Sequence, residues 1–150
     1  MRVVVQKVKN ASVKVNNRLV GKIKNGLVVL AGYESSDNSE DISWIVQKII
    51  KMRIFDDSEN KLNFSILDVN GEILLISQFT LHASVKKGNR PSYIKATDSK
   101  KAKQMYDQTI REFETVLKRK ISTGKFGANM EVSLVNNGPV TITIDSKKKE

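Results

Sequence analysis

The first part of the chain has the hydrophobic pattern of β-strands. Residues 2–9 are rich in Val, and apolar and polar residues alternate over 12–15, as in a strand with one buried face. The Asn-Asn pair at 16–17 predicts a turn, and the Asn-Gly pair at 25–26 is the strongest short signal for a β-hairpin. The run 27–31 is apolar at every position, which predicts a strand buried on both faces of a sheet.

Two later segments have the periodicity of amphipathic helices. In residues 39–52 the apolar positions fall on one face, with acidic residues in the first turn and lysines in the last, as the helix dipole favours. The second helix begins after Asp98, a residue type that favours the N-cap position, and ends at the basic run 118–120.

The remaining segments complete a mixed fold. A buried strand at 73–76 runs into a polar cluster, a long loop covers 81–97, and two final strands flank residues 136–139. Because this order is not a regular βαβ alternation, a doubly wound parallel sheet is not expected. We predict one α/β domain of the α+β type over residues 1–150. It has a mostly antiparallel, barrel-like sheet with two main helices packed outside, and residues 146–150 form a flexible basic tail.

Composition narrows the chemistry that the chain can carry out. It has no cysteine and one histidine, His82, so disulfides, thiolate zinc sites and sites with several imidazole ligands are excluded. We therefore expect no metal and no cofactor. If residues 80–82 were extended, Thr80 and His82 would point to the same face and could form a catalytic pair. Nothing else supports that pair, and a loop or edge histidine without a catalytic role is the favoured interpretation.

The formal net charge is +10, from 26 basic and 16 acidic residues. Such a surplus favours polyanionic partners such as nucleic acids, although a surface simply rich in lysine accounts for it equally well. No apolar run is long enough to span a bilayer, and the N-terminal segment lacks the pattern of a signal peptide. We therefore expect a cytoplasmic protein without a membrane partner.

Two short polar segments are candidates for a site. Residues 77–80 place two hydroxyls and an amide directly after a buried strand, where they could bind a carbonyl or a sugar, although an ordinary strand end has the same pattern. Gly138 and Pro139 lie between two good strands, where proline removes a ladder donor and glycine tolerates unusual dihedral angles. A simple hairpin turn is the alternative interpretation there.

Both segments resemble the D-aminoacyl-tRNA (D-tyrosyl-tRNA(Tyr)) deacylase family. The resemblance rests on Ser-Gln-Phe-Thr-Leu at 77–81 and Asn-Gly-Pro-Val-Thr at 137–141. It extends to residues 53–55, 90–92, 124–130 and 132–136, and so covers nearly the whole chain. Each short motif is weak alone, but their order within this length is highly specific.

The resemblance implies an enzyme that hydrolyses the ester of D-aminoacyl-tRNA, which is chiral proofreading in translation, with glycyl-tRNA editing as a further activity. It implies a homodimer of barrel-like subunits. Each site receives the Gly-Pro segment of the other subunit, with its peptide bond in cis, to reject L-amino acids. The 2′-hydroxyl of the terminal ribose helps to activate water, and main-chain donors near Phe79 and Thr80 stabilise the oxyanion. An alternative within the family makes Thr80 a nucleophile, which we disfavour because only His82 could activate it.

The expected roles follow from these matches and from the charge of the long loop. The catalytic residues are expected to be Ser77, Gln78, Phe79 and Thr80. The substrate-binding residues are expected to be Gly138 and Pro139, acting across the dimer, with Lys86, Lys87, Arg90 and Phe126.

One residue departs from the family pattern, and a function without catalysis also fits the composition. Where many family members have Arg to hold the Gly-Pro segment, this chain has Lys7, which is not equivalent at a forked hydrogen-bonding site. The competing function is a non-catalytic tRNA- or nucleic-acid-binding barrel, which the net charge and aromatic residues such as Tyr93 and Phe126 would serve. A purely structural dimer would leave both polar motifs unexplained.

Overall fold

The computed structural model describes residues 1–149, which form eight strands and two α-helices. The strands are β1 (Arg2–Val15), β2 (Arg18–Ile23), β3 (Gly26–Gly32), β4 (Phe55–Asp56), β5 (Leu62–Phe64), β6 (Glu72–Ser77), β7 (Ser122–Thr123) and β8 (Glu131–Asp145). The helices are α1 (Ser39–Lys51) and α2 (Ser99–Leu117).

A six-stranded mixed sheet organises the fold, with strand order β2-β1-β3-β6-β7 and with β8 paired to β1. The pairs of β1 with β2, β3 and β8 are antiparallel, whereas β3–β6 and β6–β7 are parallel. The expectation of a mostly antiparallel sheet is therefore not confirmed. Helix α1 forms a crossover between β3 and β6, and such a connection returns the chain in the same direction. The sheet is nearly closed, because the Ser122 hydroxyl of β7 donates to the Lys22 carbonyl of β2 at 2.8 Å.

The Asn-Gly pair at 25–26 does not form a hairpin, so that prediction is wrong. Strands β2 and β3 pair in succession with β1, the first with residues 11–15 and the second with residues 2–8. Gly26 serves a close approach instead, since a Cβ there would lie 1.9 Å from the Glu72 carbonyl oxygen of β6. The Asn-Gly pair therefore lies at the junction between β2 and β3, two strands that both pair with β1.

Both predicted helices are present and pack against the sheet. Asn38 caps α1 and forms a capping box with Asp41, while the Asp98 carboxylate accepts from the Lys101 N–H at the start of α2. The main core combines α1, α2 and one face of the central strands, and a smaller cluster that includes Val28 and Leu74 lies on the opposite face. The predicted burial of residues 27–31 on both faces is confirmed in this way.

The last residues of the described chain are partly anchored. Ser146 is buried and accepts a hydrogen bond from the Met1 α-amine, and Lys147 forms an ion pair with Asp41 at 2.7 Å. The expected basic tail includes both residues, and its last residue, Glu150, lies outside the described residues. Between residues 1 and 149, neither helix is long and apolar enough to cross a membrane.

Candidate active site

A cavity of about 570 Å³ opens where the parallel strands β3 and β6 end. Ala31 to Tyr33 and Ile76 to Phe79 line it from the two strand ends, and residues 126–130 form a second wall. The third wall comes from Ala96, Thr97, Ser99 and Ala102, at the start of α2. Of the expected site residues, the structure thus brings Ser77, Gln78, Phe79 and Phe126 together around one space.

The polar cluster after β6 is a tight turn and not an extended strand. The Gln78 N–H still donates to the Ala31 carbonyl at 2.7 Å, and the chain then enters a 3-10 helix at Phe79–His82. Within residues 1–149, neither the N–H of Phe79 nor that of Thr80 donates a hydrogen bond to the protein. First-turn N–H groups have no acceptor inside their own helix. Two main-chain donors of this turn are therefore unengaged: one belongs to Phe79, which lines the cavity, and the other to Thr80, which follows it and does not.

The side chains of Gln78, Phe79 and Thr80 contact one another or Tyr93, and among the described residues none of them is hydrogen-bonded to a side chain that could act as a catalytic base. Gln78 Nε2 lies 2.5 Å from Thr80 Oγ1, so the amide donates to the hydroxyl. Phe79 is 57% exposed and contacts Tyr93 edge to face, with 5.1 Å between ring centroids. The Thr80 hydroxyl thus accepts from the NH2 group of Gln78, which is a donor only and cannot act as its base.

His82 lies behind the turn, and the Thr80–His82 pair is not formed. The imidazole is 1% exposed, and neither ring nitrogen has a hydrogen-bond partner in the described chain. The Glu34 carboxylate is 3.8 Å from Nδ1. The histidine is thus buried and does not lie at the edge of a loop.

Tyr33 lines the cavity and was not singled out by the sequence. Its hydroxyl lies 2.8 Å from the Thr109 hydroxyl, and burial raises its pKa above the ordinary value for tyrosine. The phenol therefore stays neutral at physiological pH and is not a candidate base. Gly32 and the wall at 96–102 were also missed. No sequence motif marks them: Gly32 lines the cavity as the last residue of β3, and the packing of α2 beside β3 and β6 brings residues 96–102 to the same space.

The Gly-Pro segment is not a hairpin turn, and the two final strands predicted around it are one continuous strand, β8. Gln6 pairs with Thr141 and Val8 with Asn136, so two residues along β1 correspond to five along β8. Residues 137–140 are thereby extruded from the ladder, and the Gly138–Pro139 peptide bond is cis. The Asn136 side chain closes the base, accepting from the Val140 N–H at 3.0 Å and donating to the Thr141 hydroxyl at 2.8 Å.

Gly138 and Pro139 are exposed and do not line the cavity of their own chain. The basic residues of the long loop do not line it either: Lys86, Lys87 and Arg90 are all exposed on one loop. Reciprocal main-chain hydrogen bonds between Ser84 and Ser92, at 2.8 and 2.9 Å, close the base of this loop. The loop begins where the 3-10 turn ends, so its basic tip follows the candidate site along the chain.

The Lys7 side chain is bound by Asp56 and not by a hydrogen bond to the Gly-Pro segment of its own chain, as residues 1–149 are described. It is 2% exposed, and its ammonium donates to the Asp56 carboxylate of β4 at 2.8 Å. In the part of the chain described, no hydrogen bond joins its side chain to residues 137–140. In this chain the lysine therefore links β1 to the small β4–β5 sheet.

We expect Asp56→Ala to destabilise the fold by about 2 kcal/mol, because it leaves the buried Lys7 ammonium without a partner. Asp56 is itself 43% exposed, which places the loss below that of a fully buried pair. Glu59→Ala is the control, since the Glu59–Lys61 pair is exposed and should contribute less than about 1 kcal/mol. Urea unfolding measures both variants, and equal losses would contradict a structural role for Lys7.

No group of three or more His, Cys, Asp or Glu side chains that could hold a metal ion occurs in residues 1–149. The polar groups at the cavity are hydroxyls, amides and main-chain groups. Together with the unengaged N–H groups of the turn, these are the polar groups that the described residues offer to a ligand at this cavity.

Comparison with known proteins agrees with the arrangement of these motifs. The family model described as D-Tyr-tRNA(Tyr) deacylase matches residues 4–145. Proteins named D-aminoacyl-tRNA deacylase from Flavobacterium psychrophilum and Thermosipho africanus are 54% and 51% identical, and the match covers 100% and 99% of each chain.

Two solved structures share the fold. One, described as c-Myc DNA Unwinding Element Binding Protein, has a TM-score of 0.92 at 37% identity and covers 97% of this chain and 98% of its own. The other, a probable eukaryotic D-amino acid tRNA deacylase, has a TM-score of 0.82 at 18% identity, covers 95% of this chain and 97% of its own, and shows the fold alone. From the family match and the full-length relatives, this chain belongs to the D-Tyr-tRNA(Tyr) deacylase family.

Proposed function

We propose that this protein hydrolyses the ester bond of D-aminoacyl-tRNA, releasing the D-amino acid and free tRNA. The observation that carries the proposal is the pair of unengaged N–H groups, at Phe79 and Thr80, in the turn that begins at the cavity wall formed by residues 77–79. An ester carbonyl becomes an oxyanion when water attacks it, and two fixed main-chain donors stabilise that charge. Such stabilisation needs no ionisable side chain.

The attacking water is activated by the substrate. Among the described residues, Tyr33 is neutral, His82 is buried and the Thr80 hydroxyl accepts from Gln78. The Glu34 carboxylate faces the buried His82 and does not line the cavity. The 2′-hydroxyl of the terminal ribose lies next to the ester and can take this role. Thr80 therefore acts through its main chain and not as a nucleophile.

The active form is a homodimer in which residues 137–140 of each subunit enter the cavity of the other. Support comes from their position, because they are extruded from β8, exposed, and absent from the cavity of their own chain. A rigid backbone wall excludes L-amino acids by steric conflict, which is the economical way to separate enantiomers that carry identical groups. Glycyl-tRNA has no side chain to exclude, so the same filter would admit it.

The decisive experiment incubates the protein with D-tyrosyl-tRNA and L-tyrosyl-tRNA and follows loss of the labelled amino acid. We expect cleavage of the D-ester and sparing of the L-ester, with unchanged activity after exhaustive chelation. Light scattering on the same sample should give the mass of a dimer. Equal rates on both enantiomers, or no cleavage of either, would refute the proposal.

The basic loop should bind the tRNA backbone without reading the amino acid. Neutralising Lys86, Lys87 and Arg90 together is expected to weaken binding of D-, L- and uncharged tRNA alike. It should lower the slope of log affinity against log salt by about 2 to 3, since each phosphate contact contributes about 0.9. Neutralising Lys48, Lys51 and Lys61 is the charge-matched control outside the loop. An equal effect of both triple variants would show only non-specific attraction.

A second candidate function is nucleic-acid binding without catalysis. The net charge of +10 and the similarity to the structure described as c-Myc DNA Unwinding Element Binding Protein favour it. This function predicts tight binding of tRNA or single-stranded DNA with the ester intact. The same incubation, run beside a binding measurement, separates the two functions.

A further inference from the structure

We propose that Gly32 is a positioning residue for the proposed deacylase reaction. Because Gly32 has no Cβ, the turn at residues 78–82 can pack closely against β3, and this close packing fixes the position of the N–H groups of Phe79 and Thr80. We assign Arg2 the role of holding the same turn from β1. This proposal rests on the deacylase function above. It concerns residues that lie outside both short motifs.

The packing at Gly32 leaves no room for a side chain. An ideal Cβ on this last residue of β3 would lie 2.6 Å from the Gln78 carbonyl oxygen, 3.1 Å from His82 Cδ2 and 3.2 Å from Leu81 Cβ. Non-bonded heavy atoms settle at about 3.5 Å or more, so the turn would have to retreat by roughly 0.5 to 1 Å. The nearest atom belongs to the backbone and has no rotamer by which to move away.

The displaced carbonyl is tied directly to one of the two donors. The Gln78 carbonyl and the Phe79 N–H belong to the same planar peptide group, so one cannot shift without the other. The same carbonyl accepts the Leu81 N–H at 3.3 Å, which links it to the rest of the 3-10 helix. Any side chain at Gly32 therefore moves the proposed oxyanion site as a unit.

Two further contacts hold the turn in place, one from behind it and one from β1. The buried His82 imidazole makes no hydrogen bond in the described chain, so its contribution is to fill the space behind the turn. The Arg2 guanidinium donates to the Leu81 carbonyl at 3.2 Å and to the Asp145 carboxylate of β8 at 2.7 Å. Arg2 thus ties the turn to the strand that carries the Gly-Pro segment.

Gly32→Ala is expected to lower kcat for D-tyrosyl-tRNA by about 30- to 100-fold, because displacements near 1 Å in a positioned site cost about that much. KM should change by less than about threefold, since the basic loop and the outer cavity walls are untouched. Gly21→Ala is the matched control. Its Cβ would lie 2.7 Å from the Thr123 carbonyl oxygen, and none of the residues it meets lines the cavity.

The experiment measures single-turnover cleavage and KM for wild type, Gly32→Ala and Gly21→Ala, with thermal unfolding of each and the amide resonance of Phe79. A fall in kcat and a shifted Phe79 resonance in Gly32→Ala alone support the proposal. Wild-type kcat in a folded Gly32→Ala protein, or an equal fall in Gly21→Ala, overturns it.

If Gly32→Ala does not fold, the Arg2→Met variant is measured in its place. The Arg2 side chain is about a third exposed, so we expect this replacement to be tolerated by the fold. Loss of its hydrogen bond to Leu81 should lower kcat by about 3- to 10-fold. Wild-type kcat in that variant then overturns the proposal. Failure of the deacylase function itself is distinguishable, because the wild-type protein would then cleave no D-ester.

Discussion

Thr80→Pro is expected to lower kcat on D-tyrosyl-tRNA by about 100- to 1000-fold, the usual cost of removing one oxyanion donor. Proline deletes the Thr80 N–H, which no protein group among residues 1–149 uses. Thr80 is the second residue of the 3-10 helix, where its N–H has no partner inside the helix, so proline removes no protein hydrogen bond. Because proline also restricts the backbone of the preceding Phe79, the amide resonance of Phe79 is measured beside kcat.

Thr80→Val is the matched control, since it keeps the N–H and the side-chain shape but removes the hydroxyl. We expect kcat within about fivefold of wild type, because only the hydrogen bond from Gln78 is lost. The measurement is single-turnover cleavage, with circular dichroism to verify folding. Equal inactivation of both variants would point to the hydroxyl as a nucleophile and would contradict the substrate-assisted mechanism.

Gly138→Ala is expected to lower cleavage of D-substrates by about 100-fold through misplacement of the extruded segment. Gly138 has φ +137°, a conformation that residues with a Cβ rarely adopt, and an added Cβ would lie 2.8 Å from Val140 Cγ2. Gly88→Ala is the control at saturating tRNA. Gly88 also has positive φ, +64°, but nothing lies within 4 Å of its Cβ position.

Mixing subunits tests whether the segment acts across the dimer. Gly138→Ala and Thr80→Pro subunits, each inactive alone, would form mixed dimers with one intact site and one doubly defective site. Random mixing should then restore about a quarter of wild-type activity, because half of the dimers are mixed and half of their sites are intact. Absence of recovery in a sample shown to exchange subunits would place the segment in the site of its own chain.

The sequence alone predicted the elements whose patterns are local. The helix predicted at 39–52 is observed at 39–51, and the one predicted after Asp98 is observed at 99–117, because apolar periodicity and the Asp98 cap act within one or two turns. The buried strands at 27–31 and 73–76 follow from uninterrupted apolar runs. The two polar motifs carried the family resemblance, because their order along the chain is itself sequence information.

Strand pairing was decided by the tertiary structure, because it depends on segments far apart in the chain. The Asn-Gly pair at 25–26 predicted a hairpin, yet β2 and β3 both pair with β1, and Gly26 instead serves the close approach of β6. The crossover through α1 made β6 parallel to β3, where a mostly antiparallel sheet was expected. The residues of a turn therefore do not predict which strand the adjacent segments will pair with.

The site depended on the tertiary structure in the same way. Only the register of β8 on β1 shows that Gly138 and Pro139 are extruded from one continuous strand. Only packing shows that His82 is buried and that Lys7 is paired with Asp56. The order of residues along the chain therefore determined which side chains and motifs the candidate site can contain. Long-range packing determined which main-chain N–H groups at the site make no hydrogen bond, because an N–H stays without a partner only where no other segment accepts from it.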